Sequence, residues 1–171
     1  MAVRRILTVD MPVLRQKAKR VPKVDGSVQR LIDDMVETML EAPGVGLAGP
    51  QVGVSLRVIV VKADENLYTL VNPELVKGSG SQIGYEGCLS YPGWVGEVER
   101  ALRVVVKGRN RQGKEVRIKA EGFTARAFQH ELDHLEGVMF FDKLTSPETL
   151  RRADELEPEV QKEPAAATLG S

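Results

Sequence analysis

The hexapeptide QHELDH at residues 129–134 constrains this chain more than any other segment, because it holds both of its histidines. Residues four apart on an α-helix lie on the same face, so His130 and His134 can reach one metal ion while Glu131 projects beside them. The pattern predicts a metal site with a proton acceptor built into it. An ordinary amphipathic helix with two unliganded histidines is the alternative, and the lack of any other histidine in the sequence favours metal.

The flanks of this motif predict where its helix begins and ends. Thr124 is expected to be the N-cap, and Gly137 is expected to take the left-handed position after the last turn. One stripe of the helix is apolar and consists of Phe128, Leu132 and Leu135, while Ala127 lies with the two histidines on a second face. Because one face of the helix is apolar and a second carries the histidines, we expect the helix to be largely buried. The electric field of a metal ion is strong in such a buried environment.

The charge balance limits the expected partners. The 171 residues include 24 Lys plus Arg and 24 Asp plus Glu. Composition therefore favours neither nucleic acid nor membrane as a partner, although local patches stay open. No signal peptide or membrane-spanning run is recognised, and the single cysteine, Cys88, cannot form an internal disulfide, so a cytoplasmic protein is expected.

Apolar periodicity outside the motif predicts both helix and strand. Helical spacing over residues 28–40, behind Asp25 and Ser27, predicts a first helix that ends near Pro43. Strand patterns follow at residues 56–61 and 68–71, and as a hairpin of 102–106 with 115–119. The polar residues 147–156 are compatible with a terminal helix.

This order of elements predicts the α+β class, because it contains no βαβ alternation. We expect a compact single domain over residues 1–156, with antiparallel β-sheets packed around a central HExxH helix. Residues 157–171 are expected to form a C-terminal tail that frays.

Two histidines leave a catalytic metal site one protein ligand short. Cys88 lies in the segment 85–93, where flanking glycines allow the backbone to approach a ligand closely. A thiolate would complete a Cys-His-His set with one position open for water. A carboxylate ligand is the alternative, and a lone cysteine is more often a small buried hydrophobe.

The segment GVGLAGPQ at residues 44–51 contains the pattern G-x-G-x-x-G. A dinucleotide fingerprint would follow a strand and open a helix, whereas here the predicted helix precedes the glycines and a strand follows. We interpret the segment as a loop whose backbone approaches a ligand, with Gln51 buried for a polar task. A purely structural turn is the alternative.

Three segments together, GVGLAGPQ at 44–51, EGCLS at 86–90 and QHELDH at 129–134, resemble the signature motifs of the peptide deformylase family in the family's order. Two departures from the family pattern are Gly49, where many members have alanine, and Tyr85, where an acidic residue is frequent. The resemblance implies a metallohydrolase that removes the N-formyl group from the formylmethionine of nascent polypeptides and releases formate. The ribosome near the exit tunnel is a second partner that the family's role implies.

The resemblance also implies residue roles. Three residues would be ligands of one metal ion per chain: Cys88, His130 and His134. Glu131 would be the general acid and base, while Gln51 and the backbone N–H of Leu89 would donate to the formyl oxygen. The expected ion is Fe²⁺, and Zn²⁺, Ni²⁺ or Co²⁺ would be substitutes.

An extended substrate is expected to add as a strand along Val45 and Gly46 on one side and Gly87 and Leu89 on the other. Candidates for an apolar pocket around the methionine are Val45, Leu89, Phe123 and Ala127, and ordinary core positions are the alternative.

Two other functions are considered. A metal-dependent peptidase would also use HExxH, but a cysteine ligand and Gln51 disfavour it. A non-catalytic metal-binding protein is disfavoured because Glu131 is present. Two smaller alternatives are also open: Glu86 and Arg100 form either a buried pair or separate surface charges, and Asp133 either holds an imidazole or is a solvated helix charge.

Overall fold

Two antiparallel sheets and two α-helices form the fold of residues 2–155, the part of the chain that the computed structural model describes. The helices are α1 (Gly26–Glu41) and α2 (Gly122–Leu135). The strands are β1 (Gly46–Ala48), β2 (Val58–Ala63), β3 (Asn66–Ser79), β4 (Gln82–Cys88), β5 (Tyr91–Arg100), β6 (Arg103–Arg109), β7 (Glu115–Glu121) and β8 (Arg151–Arg152). The predicted α+β class is confirmed, and the predicted tail at 157–171 lies outside the described residues.

The strands are divided between a five-stranded sheet, in the order β1-β2-β3-β6-β7, and a three-stranded sheet, in the order β4-β5-β8. Strand β3 pairs with two neighbouring strands, its first half with β2 and its second half with β6. The register with β6 shifts twice, between Val71 and Glu74 and between Leu75 and Lys77. Such irregularities bend a strand and increase its twist.

The two helices pack on opposite faces of the five-stranded sheet. Along β2, Val58 and Val60 belong to the core under α1, whereas Ile59 and Val61 belong to the core under α2. This alternation is the period of two that a strand buried on both faces must have. Each fully buried aliphatic side chain contributes about 1.5–3 kcal/mol relative to exposure, so both faces fix the position of the sheet.

Helix α1 agrees with the sequence prediction. Its N-cap is Asp25, whose side chain accepts a hydrogen bond from the N–H of Val28. The predicted strands at 56–61 and 68–71 lie in β2 and β3, although β3 continues to Ser79, and the hairpin is β6 and β7. Within residues 2–155, neither helix combines the length and the apolar character needed to cross a bilayer.

Two predicted helix signals need correction. Thr124 is not the N-cap of α2, because the helix already begins at Gly122 and the Thr124 hydroxyl donates instead to the carboxylate of Asp64. Gly137 follows the helix with a φ of +75°, as predicted. The terminal helix is wrong as far as it is described, because Arg151 and Arg152 form β8 on the edge of β5, between two short 3₁₀ turns.

Candidate metal centre

Three side chains that could bind a metal ion meet where β4 ends against α2. The Sγ of Cys88 and one ring nitrogen each of His130 and His134 all lie within 4.8 Å of one another. The Sγ of Cys88 is 3.3 Å from Nε2 of His134, and all three residues are at most 3% exposed. The structure therefore brings together the three residues that the sequence singled out, from segments more than 40 residues apart.

A buried carboxylate orients one of the imidazoles. The Nδ1 of His130 donates to Oε1 of Glu86 over 2.9 Å, which leaves Nε2 as the nitrogen that can bind a metal ion. Glu86 itself is fully buried and accepts two hydrogen bonds of 2.8 Å from Arg100 and one of 2.7 Å from Arg126. The buried-pair alternative for Glu86 and Arg100 is therefore confirmed, with Arg126 as a second cation.

Asp133 lies one step further from the metal ligands. Its carboxylate accepts from Arg100 at 2.6 Å and from Lys143 at 3.1 Å. Neither imidazole is its partner, so Asp133 is neither of the two predicted alternatives. It holds Arg100, and Arg100 in turn holds the carboxylate that orients His130.

The buried charges shift the pKa of several groups. Burial alone would raise the pKa of Glu86, but the hydrogen bonds and charges of Arg100 and His130 outweigh it and keep the carboxyl ionised. Burial, with the charges of His130 and Arg100, holds the pKa of His134 well below its usual value, and a neutral imidazole is the form that binds metal. Burial also opposes charge on His130, yet bonds to Cys88 and Glu86 raise its pKa. A metal cation would supply the positive charge that these anionic neighbours favour.

Glu131 stands beside this cluster with one oxygen available. Among the described residues its Oε1 has no hydrogen-bond partner, although the side chain is 2% exposed. Burial raises its pKa to about 7, a value suited to taking up and releasing a proton near neutral pH. On the other side, Gly46 leaves the space for it, since a Cβ there would lie 2.3 Å from Oε2 of Glu131.

Gln51 is held so that its amide NH₂ faces the cysteine. Its Oε1 accepts from the backbone N–H of Ala48 at 2.9 Å, which assigns the other end as nitrogen. That Nε2 donates to the hydroxyl of Ser90 at 3.1 Å and lies 3.6 Å from Sγ of Cys88. The polar task predicted for Gln51 is thus visible in its contacts.

The glycine segment forms a strand and a 3₁₀ turn and opens no α-helix, so the rejection of a dinucleotide fingerprint is confirmed. Steric contacts explain why residue 49 is glycine in this chain, where many family members have alanine. A Cβ at this position would lie 2.6 Å from the carbonyl oxygen of Leu56 and 2.8 Å from that of Val54, distances that real Cβ atoms do not show.

The predicted substrate-binding segments lie next to each other. A Cβ on Gly44 would lie 2.8 Å from Cδ1 of Leu89, so the chain around Val45 and the end of β4 are neighbours. Val45 and Phe123 pack on the same apolar cluster as Ala127, whereas Leu89 packs on the cluster under α1. Three of the four pocket candidates therefore belong to one apolar cluster.

The donor set fits a divalent metal ion. One thiolate and two imidazoles are the ligands of catalytic zinc-like sites that keep a fourth position open. Nδ1 of His134 and Oε1 of Glu131 are buried without partners among the described residues. Buried polar atoms normally have a hydrogen-bond partner, so water or another group around a bound ion would be expected to supply one. Cys88, His130 and His134 could hold such an ion, and Glu86 would support them.

Sequence reasoning missed Arg126 and Ser90. Arg126 is 2% exposed and binds Glu86 as well as backbone carbonyls of β4 and β5. A charged residue between Ala125 and Ala127 on the buried helix was the signal that could have found it, since a buried arginine requires a partner. Ser90 follows Leu89 with no local pattern that predicts its bond to Gln51.

Known proteins are similar to this chain in sequence and in fold. The sequence profile described as polypeptide deformylase matches residues 3–150. A peptide deformylase of Halothermothrix orenii is 58% identical over 146 residues, which cover 84% of this chain and 95% of that protein.

Solved structures agree with the sequence matches. The crystal structure of peptide deformylase from Thermotoga maritima superposes with a TM-score of 0.83 at 41% identity, covering 85% of this chain and 100% of that one. The Ehrlichia chaffeensis peptide deformylase in complex with actinonin gives a TM-score of 0.84 at 38% identity, covering 87% and 92%.

Proposed function

This chain belongs to the polypeptide deformylase family, and we propose that Cys88, His130 and His134 hold the metal ion on which its reaction depends. The enzyme is a metal-dependent hydrolase that removes the N-formyl group from nascent formyl-Met polypeptides. The observation that carries the residue assignment is the convergence of three ligand atoms within 4.8 Å, beside a buried carboxylate.

The ion is Fe²⁺ in this proposal, one per chain, with Zn²⁺, Ni²⁺ or Co²⁺ as substitutes, because a mixed sulfur and nitrogen set accepts all of them. When bound, it lowers the pKa of a coordinated water toward neutrality and polarises a carbonyl oxygen. Glu86 supports the site by accepting the Nδ1 proton of His130, which fixes the tautomer.

Glu131 is the general base and acid of the proposed mechanism. Its unpartnered Oε1 would accept a proton from the attacking water, and a pKa of about 7 allows it to return that proton to the departing amine. The products are formate and a free N-terminus. Gly46 keeps the carboxylate in place, because any side chain there would displace it.

Gln51 and the backbone N–H of Leu89 are the proposed donors to the formyl oxygen. As the formyl carbon becomes tetrahedral, negative charge develops on that oxygen, and each donor is worth on the order of 3 kcal/mol in comparable sites. The Nε2 of Gln51 lies 3.6 Å from Sγ of Cys88, so the amide adjoins the metal ligands. Its bond to Ala48 holds it there.

The substrate is proposed to enter as an extended strand between Val45–Gly46 and Gly87–Leu89. Main-chain hydrogen bonds would then give affinity without reading sequence beyond the first residue. Val45, Phe123 and Ala127, which share one apolar cluster, would receive the methionine side chain, with Leu89 at its edge.

We further infer a cytoplasmic location and a contact with the ribosome near the exit tunnel. Nascent chains are available there, and a buried free thiol at Cys88 suits a reducing compartment. The catalytic domain is proposed to comprise residues 1–156.

Formate release tests the proposal. Protein loaded anaerobically with Fe²⁺ should release formate from a formyl-Met peptide, and Cys88→Ala should abolish both the activity and stoichiometric metal binding. Ser55→Ala is the matched control, because this serine lies on the loop before β2 and its hydroxyl has no hydrogen bond within residues 2–155. Undiminished metal content in Cys88→Ala would remove the cysteine from the ligand set, and cleavage of an unformylated peptide would support a peptidase instead.

A further inference from the structure

The face of the five-stranded sheet that points away from α2 is only half covered. Helix α1 packs on β1 and β2. Over β3, β6 and β7 the same face is open within residues 2–155, and the outward residues of β7 are all exposed. An antiparallel sheet commonly has one solvated face, so the question is which side chains this face presents.

Cross-strand register places mostly cations on the open face. Residues directly opposite one another in an antiparallel pair point to the same side of the sheet. By this register the face carries six cations, which are Lys77, Arg103, Lys107, Arg109, Arg117 and Lys119. Its carboxylates are Glu74, Glu115 and Glu121. Arg20 adjoins them, because it lines a groove together with Lys107 and Arg109.

Few of these cations are neutralised by a neighbour. Lys107 pairs with Glu74 and Arg103 pairs with Glu121, each over 3.4 Å. No other ion pair among the described residues involves this face. By register, six cations thus meet three carboxylates, an excess of three positive charges on one surface of a chain whose total charge is zero.

The cations line two depressions at opposite ends of the face. One, of about 490 Å³, lies among Lys77, Arg103 and Lys119. The other, of about 200 Å³, lies among Arg20, Lys107 and Arg109. The six residue-to-residue steps of β6 from Arg103 to Arg109 correspond to about 20 Å of strand.

The chemistry of this surface suits phosphates better than bases or lipid. Lys, Arg and Glu dominate, and the central apolar residue, Val105, is half-buried. Single-stranded nucleic acid is held by stacking on aromatic side chains, and membrane surfaces by inserted aromatic and apolar ones. A duplex carries about one phosphate charge per 1.7 Å of axis, so a basic face about 20 Å long spans many of them.

We propose that this basic face binds the phosphate backbone of double-stranded RNA without reading its sequence. The choice of RNA as the source of these phosphates rests on the proposed function, because nascent polypeptides emerge from the ribosome and the ribosome is rich in RNA. The metal centre lies on the other side of this sheet, where α2 meets the end of β4. The enzyme can therefore bind RNA on one side while the catalytic site on the other stays open.

Binding to a labelled RNA duplex of about 20 base pairs tests this proposal, measured by fluorescence anisotropy over a salt series with the metal-loaded full chain. The variant Arg117→Glu/Lys119→Glu should lose at least tenfold in affinity near 0.1 M salt. It should also flatten the slope of log K against log salt by about two, one per lost phosphate contact. Neither side chain has a hydrogen bond or ion pair in the structure of residues 2–155, so folding and formate release should be unchanged.

Arg5→Glu/Arg151→Glu is the matched control, because it makes the same change in charge at exposed positions away from this face. It should bind RNA within about threefold of the unaltered chain, as should the charge-conserving Arg117→Lys/Lys119→Arg. Equal losses in the control, or no binding by the unaltered chain, would overturn the proposal. So would tighter binding to vesicles of phosphatidylserine and phosphatidylcholine than to RNA. Formate release is measured separately, so either proposal can fail while the other stands.

Discussion

The two sides of the five-stranded sheet handle charge in opposite ways. On the side of α2, where this helix meets the three-stranded sheet, Glu86 is fully buried and bonded to Arg100, Arg126 and His130. Across the sheet, the exposed cations Lys119 and Arg117 have no ion pair within residues 2–155. A buried charge is tolerated only when it is paired, whereas a hydrated one needs no partner. The buried side should therefore govern stability and chemistry, and the exposed side should govern encounters.

The largest effect is expected at Glu131, because its Oε1 is buried without a partner among residues 2–155 and is therefore available for proton transfer. Glu131→Gln should lower kcat about 10²- to 10⁴-fold, the usual range for losing a general base. Metal content should be unchanged, because the three ligands stay in place. Formate release and elemental analysis of the same sample measure both. Activity within tenfold of the unaltered enzyme would mean that another group moves the proton.

Replacing an arginine by methionine at Arg126 and, separately, at Arg117 compares the same substitution on the two sides of the sheet. Arg126→Met leaves Glu86 without one of its two buried cations. Breaking a buried pair costs about 3–5 kcal/mol, and disturbing a residue that orients a metal ligand costs about 10–100-fold in metal affinity. Arg117→Met on the exposed face should change the free energy of unfolding by less than about 0.5 kcal/mol.

Urea unfolding and competition with a chelator, using Co²⁺ and its absorption spectrum, measure these two quantities for both variants. An altered Co²⁺ spectrum in Arg126→Met would show that the change reaches the coordination sphere. If Arg126→Met matched Arg117→Met in stability and in metal affinity, Arg126 would have no role in positioning Glu86.

Gly46 tests the packing around Glu131, the proposed general base. Gly46→Ala would place a Cβ 2.3 Å from Oε2 of Glu131, so Glu131 must move. A misplaced catalytic group costs up to about 10²-fold, and we expect a 10–100-fold fall in kcat with little change in stability. Gly26→Ala at the start of α1 is the control, because its Cβ would meet only Arg30 at 3.4 Å. Equal activity of the two variants would show that Glu131 tolerates displacement.

The parts of the site that lie close in sequence could be predicted, and those that depend on distant partners could not. The spacing of His130 and His134 is a helical property, so one segment defines it. Helix α1 and the β6–β7 hairpin likewise follow from local periodicity and turn chemistry. The resemblance of three short segments to one family added Cys88 and Gln51.

Arg126 and the shape of the second sheet required the folded chain. Arg126 is satisfied by Glu86, 40 residues away, and by carbonyls of β4 and β5. Strand β4 has no apolar alternation to reveal it, because its buried end is Glu86, Gly87 and Cys88. The basic face is hidden for a similar reason, since only register shows that cations from three strands share one side.

The smallest effect is expected for the ion pairs within the basic face, and Arg103 with Glu121 is the suitable case. Their side chains are 54% and 66% exposed and meet at 3.4 Å. A double-mutant cycle with Arg103→Ala and Glu121→Ala should give a coupling of about 0.2–1 kcal/mol that vanishes near 1 M salt, where the screening length falls to about 3 Å. A salt-resistant coupling above about 2 kcal/mol would mean that internal pairing organises this face, and the contrast with the buried centre would then fail. A weak coupling would leave Arg103 nearly as free as Lys119 to exchange its neighbour for a phosphate.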